Sequence, residues 1–295
     1  MRRPNVRKFC FLKQAVSGFV IGLMSLSVQA ASVNPCDVHA WKITGAVQSS
    51  AYTSGNPLPS VGPISATSCA GVFEGNNDAG GTASPSPNLG YRNDGLLNGQ
   101  GGLLSPTQFI SPSQLMDLEN PGQFVDPGWI MLGTLGGNSG ELSYASVGSS
   151  PGFSLSQVIR YTQTQTSNVG GTWLLEVDAD IISILAAQGL FDRSFFDHLA
   201  FSVKSSTGWA VYDFDFNLIN AAAPGAFNLN VPYTIGGTWT MNSDFFNRNG
   251  NGQDISHLAV WARDPLSRND IPLPGTVFLL GLGLLVMGAI RRSRT

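Results

Sequence analysis

A ten-residue stretch decides the fold class of this chain: residues 209–218, with the sequence WAVYDFDFNL. Every second side chain in it is apolar, at positions 210, 212, 214, 216 and 218. Asp213, Asp215 and Asn217 fall between them. A period of two is typical of a strand in a sheet that buries one face and exposes the other to water. We therefore predict a strand over residues 209–218, with Trp209, Asp213 and Asp215 on its solvent-exposed face.

The same alternation recurs over residues 173–180, where Glu176 and Asp178 alternate with apolar side chains. Two further strands and one short helix are predicted from the spacing of apolar residues, at His198–Lys204, His257–Arg263 and 180–189. Asn, Gly, Ser and Pro turns separate these stretches. The pattern predicts an all-β fold, a two-layer and jelly-roll-like β-sandwich with one short helix.

The N-terminal end has the three parts of a secretory signal peptide. Five basic and no acidic residues precede position 14, and an apolar run occupies residues 15–28. This run is too short for a comfortable bilayer span. Small or aliphatic side chains at Val28 and Ala30 then predict cleavage after Ala30, with Ala31 as the next candidate. A short N-terminal membrane anchor is the alternative.

The C-terminal end combines a proline motif, an apolar run and a basic cluster. The parts are Pro272, Leu273, Pro274 and Gly275, then the run 276–290, then Arg291, Arg292 and Arg294. A helix of fifteen to twenty apolar residues can just cross a ~30 Å hydrocarbon core, with its flanking arginines reaching the headgroups. The basic cluster is expected on the cytoplasmic side, which leaves the rest of the chain outside that membrane.

This order of features resembles the PEP-CTERM sorting signal of Gram-negative bacteria, although Leu273 stands where the family's name-giving motif has Glu. The resemblance implies that an exosortase, a membrane-embedded cysteine protease, recognises the tail and cuts near the prolines. We expect residues 1–30 to be a signal peptide and 31–268 an extracellular β-sandwich domain. Residues 269–295 are then the sorting signal with its transmembrane helix, and an uncut tail anchor is the alternative.

Charge and cysteine content fit an extracellular domain. Residues 31–290 contain eight basic and nineteen acidic residues, a net charge of −11. Such acidity excludes nucleic acid as a partner, because Lys and Arg are needed to replace the counterions of phosphate. Cys10 lies in the predicted signal peptide, which leaves Cys36 and Cys69. In an oxidising compartment we expect these two to form one disulfide.

Three histidines are the candidates for acid–base or metal chemistry: His39, His198 and His257. Each is either a general base or metal ligand, or a structural side chain that backbone groups satisfy. No GxSxG, HExxH or phosphate-binding glycine motif accompanies them. We therefore expect structural histidines, and we predict no catalytic residue and no metal site.

An enzymatic function is the alternative, and it rests on carboxylates of the two strands with alternating polarity. Glu176 and Asp178 share one strand face, and Asp213 and Asp215 share another, with i and i+2 side chains about 7 Å apart. A glycosidase needs two carboxyl groups roughly 5–9 Å apart, which this spacing allows. The wet outer face of a sheet explains the same residues. Trp209, on the face of Asp213, is a candidate platform for a sugar ring or an ordinary packing residue.

Two Asn/Gly-rich stretches, residues 75–78 and 247–252, resemble parts of calcium loops. The second has Leu258 where a calcium loop requires a bidentate Glu, and a tight Asn/Gly turn explains both stretches. We therefore expect no cofactor, with a structural Ca²⁺ as the alternative.

The sequence thus predicts a non-enzymatic exported protein of the cell surface or extracellular matrix of a Gram-negative bacterium. It is expected to be held transiently in the inner membrane and to associate with exopolysaccharide or biofilm. Its expected partners are the general secretion machinery and an exosortase. The alternative is a secreted glycan-active hydrolase or a carbohydrate-binding module.

Overall fold

The structure, a computed structural model, describes residues 35–77, 90–145, 154–167, 169–180, 196–206, 208–241, 244–247 and 249–263. The predicted cleavage site at Ala30, the sorting signal at 269–295 and most of the helix predicted at 180–189 lie outside these residues. Within the described ranges, no helix has the length and apolar character that crossing a bilayer requires.

Twelve strands and one α-helix follow one another along the described chain. They are β1 (Trp41–Gln48), β2 (Ser60–Ser65), β3 (Ser68–Glu74), β4 (Trp129–Gly136), β5 (Gly140–Glu141), β6 (Ser143–Tyr144), β7 (Ile159–Ser167), β8 (Gly170–Val177), β9 (His198–Lys204), β10 (Gly208–Asp215), α1 (Phe216–Ala222), β11 (Tyr233–Thr240) and β12 (His257–Arg263).

The strands form two six-stranded antiparallel sheets. Sheet I has the order β2-β1-β11-β8-β7-β5, and sheet II has the order β3-β10-β9-β12-β4-β6. The predicted strands at His198–Lys204 and His257–Arg263 are present with those bounds. The mostly-β composition and the two sheets are consistent with the predicted sandwich, while the jelly-roll-like connection stays a prediction.

An aromatic cluster joins the inner faces of the two sheets. Phe201 of sheet II is fully buried, and its ring centroid lies 4.4 Å from that of Trp41 and 5.0 Å from that of Trp173, both in sheet I. Phe214, next to Phe201 in sheet II, adds an edge-on contact at 6.1 Å. Aromatic pairs of this kind stabilise by about 0.5–1.5 kcal/mol each beyond the area they bury.

The outer face of sheet II is covered as well. Residues 90–128, which we call the cover segment, run across it as a series of turns that includes short 3₁₀ turns at Leu96–Asn98 and Pro112–Gln114. Leu96 and Ile110 of the cover segment pack in one buried cluster with Trp129, Trp209 and Trp261 of the sheet, among other apolar residues. Sheet II is therefore a middle layer, with apolar packing on both faces.

Specific backbone contacts fix the cover segment. The Asn98 side chain is buried; its amide group donates to the carbonyl of Trp129 at 2.7 Å, and its oxygen accepts from the Trp129 N–H at 3.1 Å. Gly95 has a φ of +88°, and a Cβ atom there would lie 2.5 Å from the Trp261 ring. Glycine is required at this position for both reasons.

Two features of the opening stretch differ from prediction. Its strand ends at Asp215 and not at Leu218, because the Asp215 carboxylate accepts hydrogen bonds from the N–H groups of Asn217 and Leu218 and caps α1. Leu218, predicted to be buried, is 57% exposed on this helix. The predicted wet face is also wrong, since Trp209 and Asp213 are buried beneath the cover segment.

The predicted disulfide between Cys36 and Cys69 is confirmed. It attaches the first described residues to β3, where the Cys36 N–H also donates to the carbonyl of Gly71 at 3.0 Å. Asp244, to which the buried Tyr212 hydroxyl donates, accepts from the Asp37 N–H at 2.9 Å. By the chain-entropy model, closing a loop of this size stabilises the fold by about 3–4 kcal/mol.

We predict that Gly237→Ala strongly destabilises the protein. A Cβ at Gly237 would lie 1.9 Å from the Lys42 carbonyl oxygen and 2.7 Å from the Trp173 indole, so backbone must move. Overpacking of this kind costs about 3 kcal/mol or more of unfolding free energy, measured by urea denaturation. Gly136→Ala is the matched control, because a Cβ there meets nothing within 4 Å. Equal unfolding free energies for the two variants would contradict the described packing.

Candidate functional site

A buried polar network lies beneath the cover segment, where β9, β10 and β12 meet α1. His198 is fully buried, and its Nδ1 atom lies 3.1 Å and 3.2 Å from the two carboxylate oxygens of Asp213. Asp215 approaches the other ring nitrogen, Nε2, to 3.8 Å. The edge of the Trp129 ring system packs on the imidazole, with centroids 5.5 Å apart. Two of the four candidate carboxylates are thus held by one histidine.

The second half of this network is an ion pair. The Arg263 guanidinium contacts the Asp197 carboxylate at 2.5 Å, and both side chains are buried. Arg263 also donates from Nε to the Pro127 carbonyl at 2.8 Å and from its second terminal nitrogen to the Gln114 carbonyl at 2.6 Å. Because a buried charge without partners is costly, these bonds hold the cover segment against the end of β12.

The surroundings of His198 set its protonation. Burial alone lowers the pKa of His198, but the hydrogen bond and charge of Asp213, together with the charges of Asp197 and Asp215, outweigh it and raise the pKa above its usual value. Burial also raises the pKa of Asp213, so both partners of this buried pair bind a proton more readily than they would in water. The arrangement explains His198 as a structural residue that balances buried charge.

The other two candidate carboxylates belong to sheet I. Glu176 of β8 and Asp178, which directly follows β8, line an open surface cleft of about 520 Å³ together with Asp180. The Ser54 hydroxyl donates to Glu176 at 2.7 Å, and Arg160 lies 3.9 Å from the same carboxylate. The structure therefore does not bring the four candidates together, because Asp213 and Asp215 both lie in β10 of sheet II.

Hydroxyl and amide groups complete the cleft. Besides the residues already named, the lining consists of Ser49, Ser50, Tyr52, Ser156, Gln157, Val158, Ile159, Val177 and Ala179. The residues that follow β1 supply Ser49, Ser50, Tyr52 and Ser54. Residues 156–160, before and at the start of β7, supply another part of the wall. Burial and the negative charge of Glu176 raise the pKa of the Tyr52 hydroxyl, which keeps it a hydrogen-bond donor at neutral pH. The cleft thus offers donors and acceptors beside one aromatic ring.

A small apolar cavity of about 60 Å³ lies between the sheets at the same end of the sandwich. Val177 of sheet I, Leu199 of sheet II and Phe216 of α1 are among its lining residues. The cavity presents few polar groups that could orient a ligand, whereas the cleft presents many. We therefore take the cleft as the candidate functional site.

The remaining sequence candidates are dispersed. His39 bonds with Ser65 at 2.7 Å near β2, and His257 lies at the start of β12, where burial lowers its pKa. The Asn247 side chain accepts the N–H groups of Asn249 and Asn251 at 2.9 and 3.1 Å within a turn. Across the described ranges, no group of three or more His, Cys, Asp or Glu is placed to hold a metal ion. The expected absence of a cofactor stays a prediction.

Arg160 and Tyr52 are the site residues that sequence reasoning missed. Arg160 pairs across strands with Glu176, but its own strand, β7, carries mostly Thr and Gln and shows no strong apolar alternation. Tyr52 belongs to the loop region between β1 and β2 and reaches the cleft only through the fold. Arg160 and Glu176 meet only through the register of β7 and β8, so no local signal in the sequence marked Arg160 or Tyr52 as a site residue.

Residues 270–294 match the family model described as the PEP-CTERM protein-sorting motif. The resemblance read from the proline motif, apolar run and terminal arginines is therefore confirmed. The motif indicates an exported protein that is sorted by an exosortase. No curated protein and no solved structure matches the chain.

We predict that His198→Gln destabilises the protein more at pH 6 than at pH 9. The raised pKa of His198 means that its stabilising contribution is complete below the ordinary value of about 6.5 and is lost as pH rises through the folded-state pKa. Urea denaturation of the variant and the natural protein at both pH values measures the difference.

His257→Gln is the matched control for this prediction. Burial lowers the pKa of His257, so its contribution is present at high pH and is lost as pH falls. The two variants should show opposite pH trends in the change of unfolding free energy. The same trend for both would contradict the described environment of His198.

Proposed function

We propose that this chain, which carries a PEP-CTERM protein-sorting motif, is a non-enzymatic protein of the bacterial cell surface or extracellular matrix. In this proposal the C-terminal tail holds it transiently in the inner membrane of a Gram-negative cell until an exosortase cuts near Pro272 and Pro274. The released protein then binds exopolysaccharide through the cleft of sheet I and contributes to matrix or biofilm.

The single observation that carries the export part is the motif at residues 270–294. Its sequence has the length of a membrane span, and Arg291, Arg292 and Arg294 match the positive-inside rule. The disulfide between Cys36 and Cys69 supports an oxidising compartment. The net charge of −11 over residues 31–290 supports solubility outside the cell.

The cleft supports the ligand class. Glycans present many hydroxyl groups that both donate and accept hydrogen bonds, together with apolar sugar faces that stack on aromatic rings. The cleft holds carboxylate acceptors at Glu176 and Asp180, hydroxyl groups at Ser50 and Ser54, and the ring of Tyr52. Its open shape suits a long chain that enters and leaves, and a deep pocket would suit a small molecule better.

The placement of the carboxylates favours binding over hydrolysis. Glycoside hydrolysis uses two carboxyl groups that flank one bond, roughly 5–9 Å apart. Asp213 is 1% exposed and is held by His198 beneath the cover segment, in the sheet that lies opposite Glu176. The substrate would have to displace the cover segment to reach it. We therefore propose no catalytic role for Asp213 or Asp215.

We predict that replacing both Pro272 and Pro274 by Ala slows release of the protein from its producing cells at least about tenfold, since the protease reads the extended backbone that proline imposes. The uncut chain should accumulate in the inner-membrane fraction, which pulse labelling and fractionation measure. Pro121→Ala, at an exposed position of the cover segment, is the matched control. Unchanged release of the double variant would contradict sorting through this motif.

We predict that Tyr52→Ala and Glu176→Gln each weaken binding of the released protein to the exopolysaccharide of its producing bacterium by about tenfold, equivalent to about 1.4 kcal/mol. Calorimetric titration measures the affinity. Thr164→Ala, at an exposed position of β7 outside the cleft, is the matched control and should bind as the natural protein does.

Two outcomes of this titration would contradict the proposal. Equal affinity in all variants would remove the cleft from the binding site. New reducing ends released by the natural protein but not by Asp213→Asn would favour the hydrolase alternative.

A further inference from the structure

We infer that one end of the sandwich, the end that carries α1, lies against the lipid surface while the tail is in the membrane. The proposed function supplies the anchored state on which this inference rests. The contact surface consists of Asn217 and Leu218 of α1 and residues 221–226, all exposed in the structure. We call this surface the α1 end.

The last described residue, Arg263, lies at the α1 end. In the register of sheet II, Arg263 is opposite His198, and His198 is opposite Asp215, which directly precedes α1. Backbone hydrogen bonds join the same points. The Asp197 N–H donates to the Arg263 carbonyl at 3.2 Å, and the Phe216 N–H donates to the Asp197 carbonyl at 3.0 Å. Across two strand spacings, α1 therefore begins about 10 Å from the point of exit.

The chain between this exit and the sorting motif is short. Twelve residues, 264–275, separate Arg263 from the apolar run 276–290. They span at most about 40–43 Å even when fully extended. While the apolar run is in the bilayer, the end of β12 therefore stays within about 40 Å of the headgroups, and the end of the sandwich that carries this exit is the one attached to the membrane.

The composition of the α1 end suits contact with lipid. The chain has no Asp, Glu, Lys or Arg from residue 216 to residue 241, although residues 31–290 carry a net charge of −11. Leu218 is 57% exposed, and the exposed residues 221–226 are Ala, Pro and Gly. An uncharged surface with one large apolar side chain lies against headgroups without charge repulsion and inserts that side chain at shallow depth.

The cleft occupies the sheet I flank of the same end. Val177 borders both the cleft and the apolar cavity, and Phe216 lines that cavity from α1. The exposed carboxylates of Asp178 and Asp180 therefore lie beside the α1 end and are repelled by anionic headgroups. This difference in charge directs α1, and not the cleft, toward the lipid.

The short tether makes a weak contact sufficient. A surface with one large exposed apolar residue does not hold a free protein on a membrane. A link of twelve residues raises its effective concentration at the bilayer to the millimolar range, which converts a weak contact into a populated one. Exosortase cleavage severs the link, so the same surface leaves the lipid when the tail is cut. Release then needs no separate conformational change.

The test uses the chain without residues 1–30, which are expected to be cleaved, floated with vesicles of phosphatidylcholine and anionic phosphatidylglycerol. Cys36 and Cys69 form the disulfide, so one introduced thiol is labelled. An environment-sensitive fluorophore is attached at Leu218→Cys, or at Ala222→Cys as a second position on α1. Phe246→Cys is the matched control: Phe246 is 46% exposed and precedes the start of β12, at the opposite end of the sandwich. Lipid that carries a spin label near its headgroup quenches the fluorophore, and the degree of quenching reports how close the labelled position lies to the membrane surface.

We expect the α1 positions to be quenched at least about twofold more than the Phe246 position, because only the α1 end reaches the interface. Equal quenching in protein that floats with the vesicles would overturn this inference while leaving the anchored state intact. Failure of the chain to float would overturn the anchored state itself, and the inference with it.

Discussion

Arg263 joins three parts of the molecule through one buried side chain. It pairs with Asp197 beside β9, and it donates hydrogen bonds to the carbonyls of Pro127 and Gln114 at two points of the cover segment. These bonds fasten the cover segment over the outer face of sheet II, where tryptophans of β4, β10 and β12 pack against it. The cover segment occupies that face, whereas the candidate cleft lies on sheet I. A structural ion pair of sheet II thus helps to decide which surface of the molecule stays open.

Arg263 also lies at the boundary between the folded domain and the sorting motif. Arg263 ends β12, and the sorting motif begins seven residues later, at Asp270. The buried guanidinium and its partners fix the point at which the chain leaves sheet II. In the orientation that we infer, this exit and α1 share the end of the sandwich that faces the membrane.

Local patterns made part of the fold predictable. The alternation in residues 209–215 predicted a strand, and the pair Cys36 and Cys69 predicted a disulfide because no other cysteine remains after the signal peptide. The sorting motif was recognisable for the same reason, since apolar length and terminal charge are properties of a continuous stretch. The predicted environment of the strand was wrong, because alternation shows which side chains share a face but not whether another segment covers that face.

Signals for the covered face were present elsewhere in the chain. The strands His198–Lys204 and His257–Arg263 are apolar almost without interruption, which is typical of strands buried on both faces. Asp215 could have been recognised as a helix cap, since Phe216 and Ile219 follow it at helical spacing. The cleft was out of reach, because Tyr52, Arg160 and Glu176 come from three separate segments that only the sheet register brings together.

The proposed function requires that sheet I binds exopolysaccharide while the cover segment blocks the outer face of sheet II. Hydrogen–deuterium exchange of the released protein, with and without the exopolysaccharide of its producing bacterium, tests it most directly. The account predicts that the glycan slows exchange in residues 49–54, 156–160 and 176–180 and leaves the cover segment, residues 90–128, unchanged. Slower exchange in the cover segment, with no change around the cleft, would contradict it.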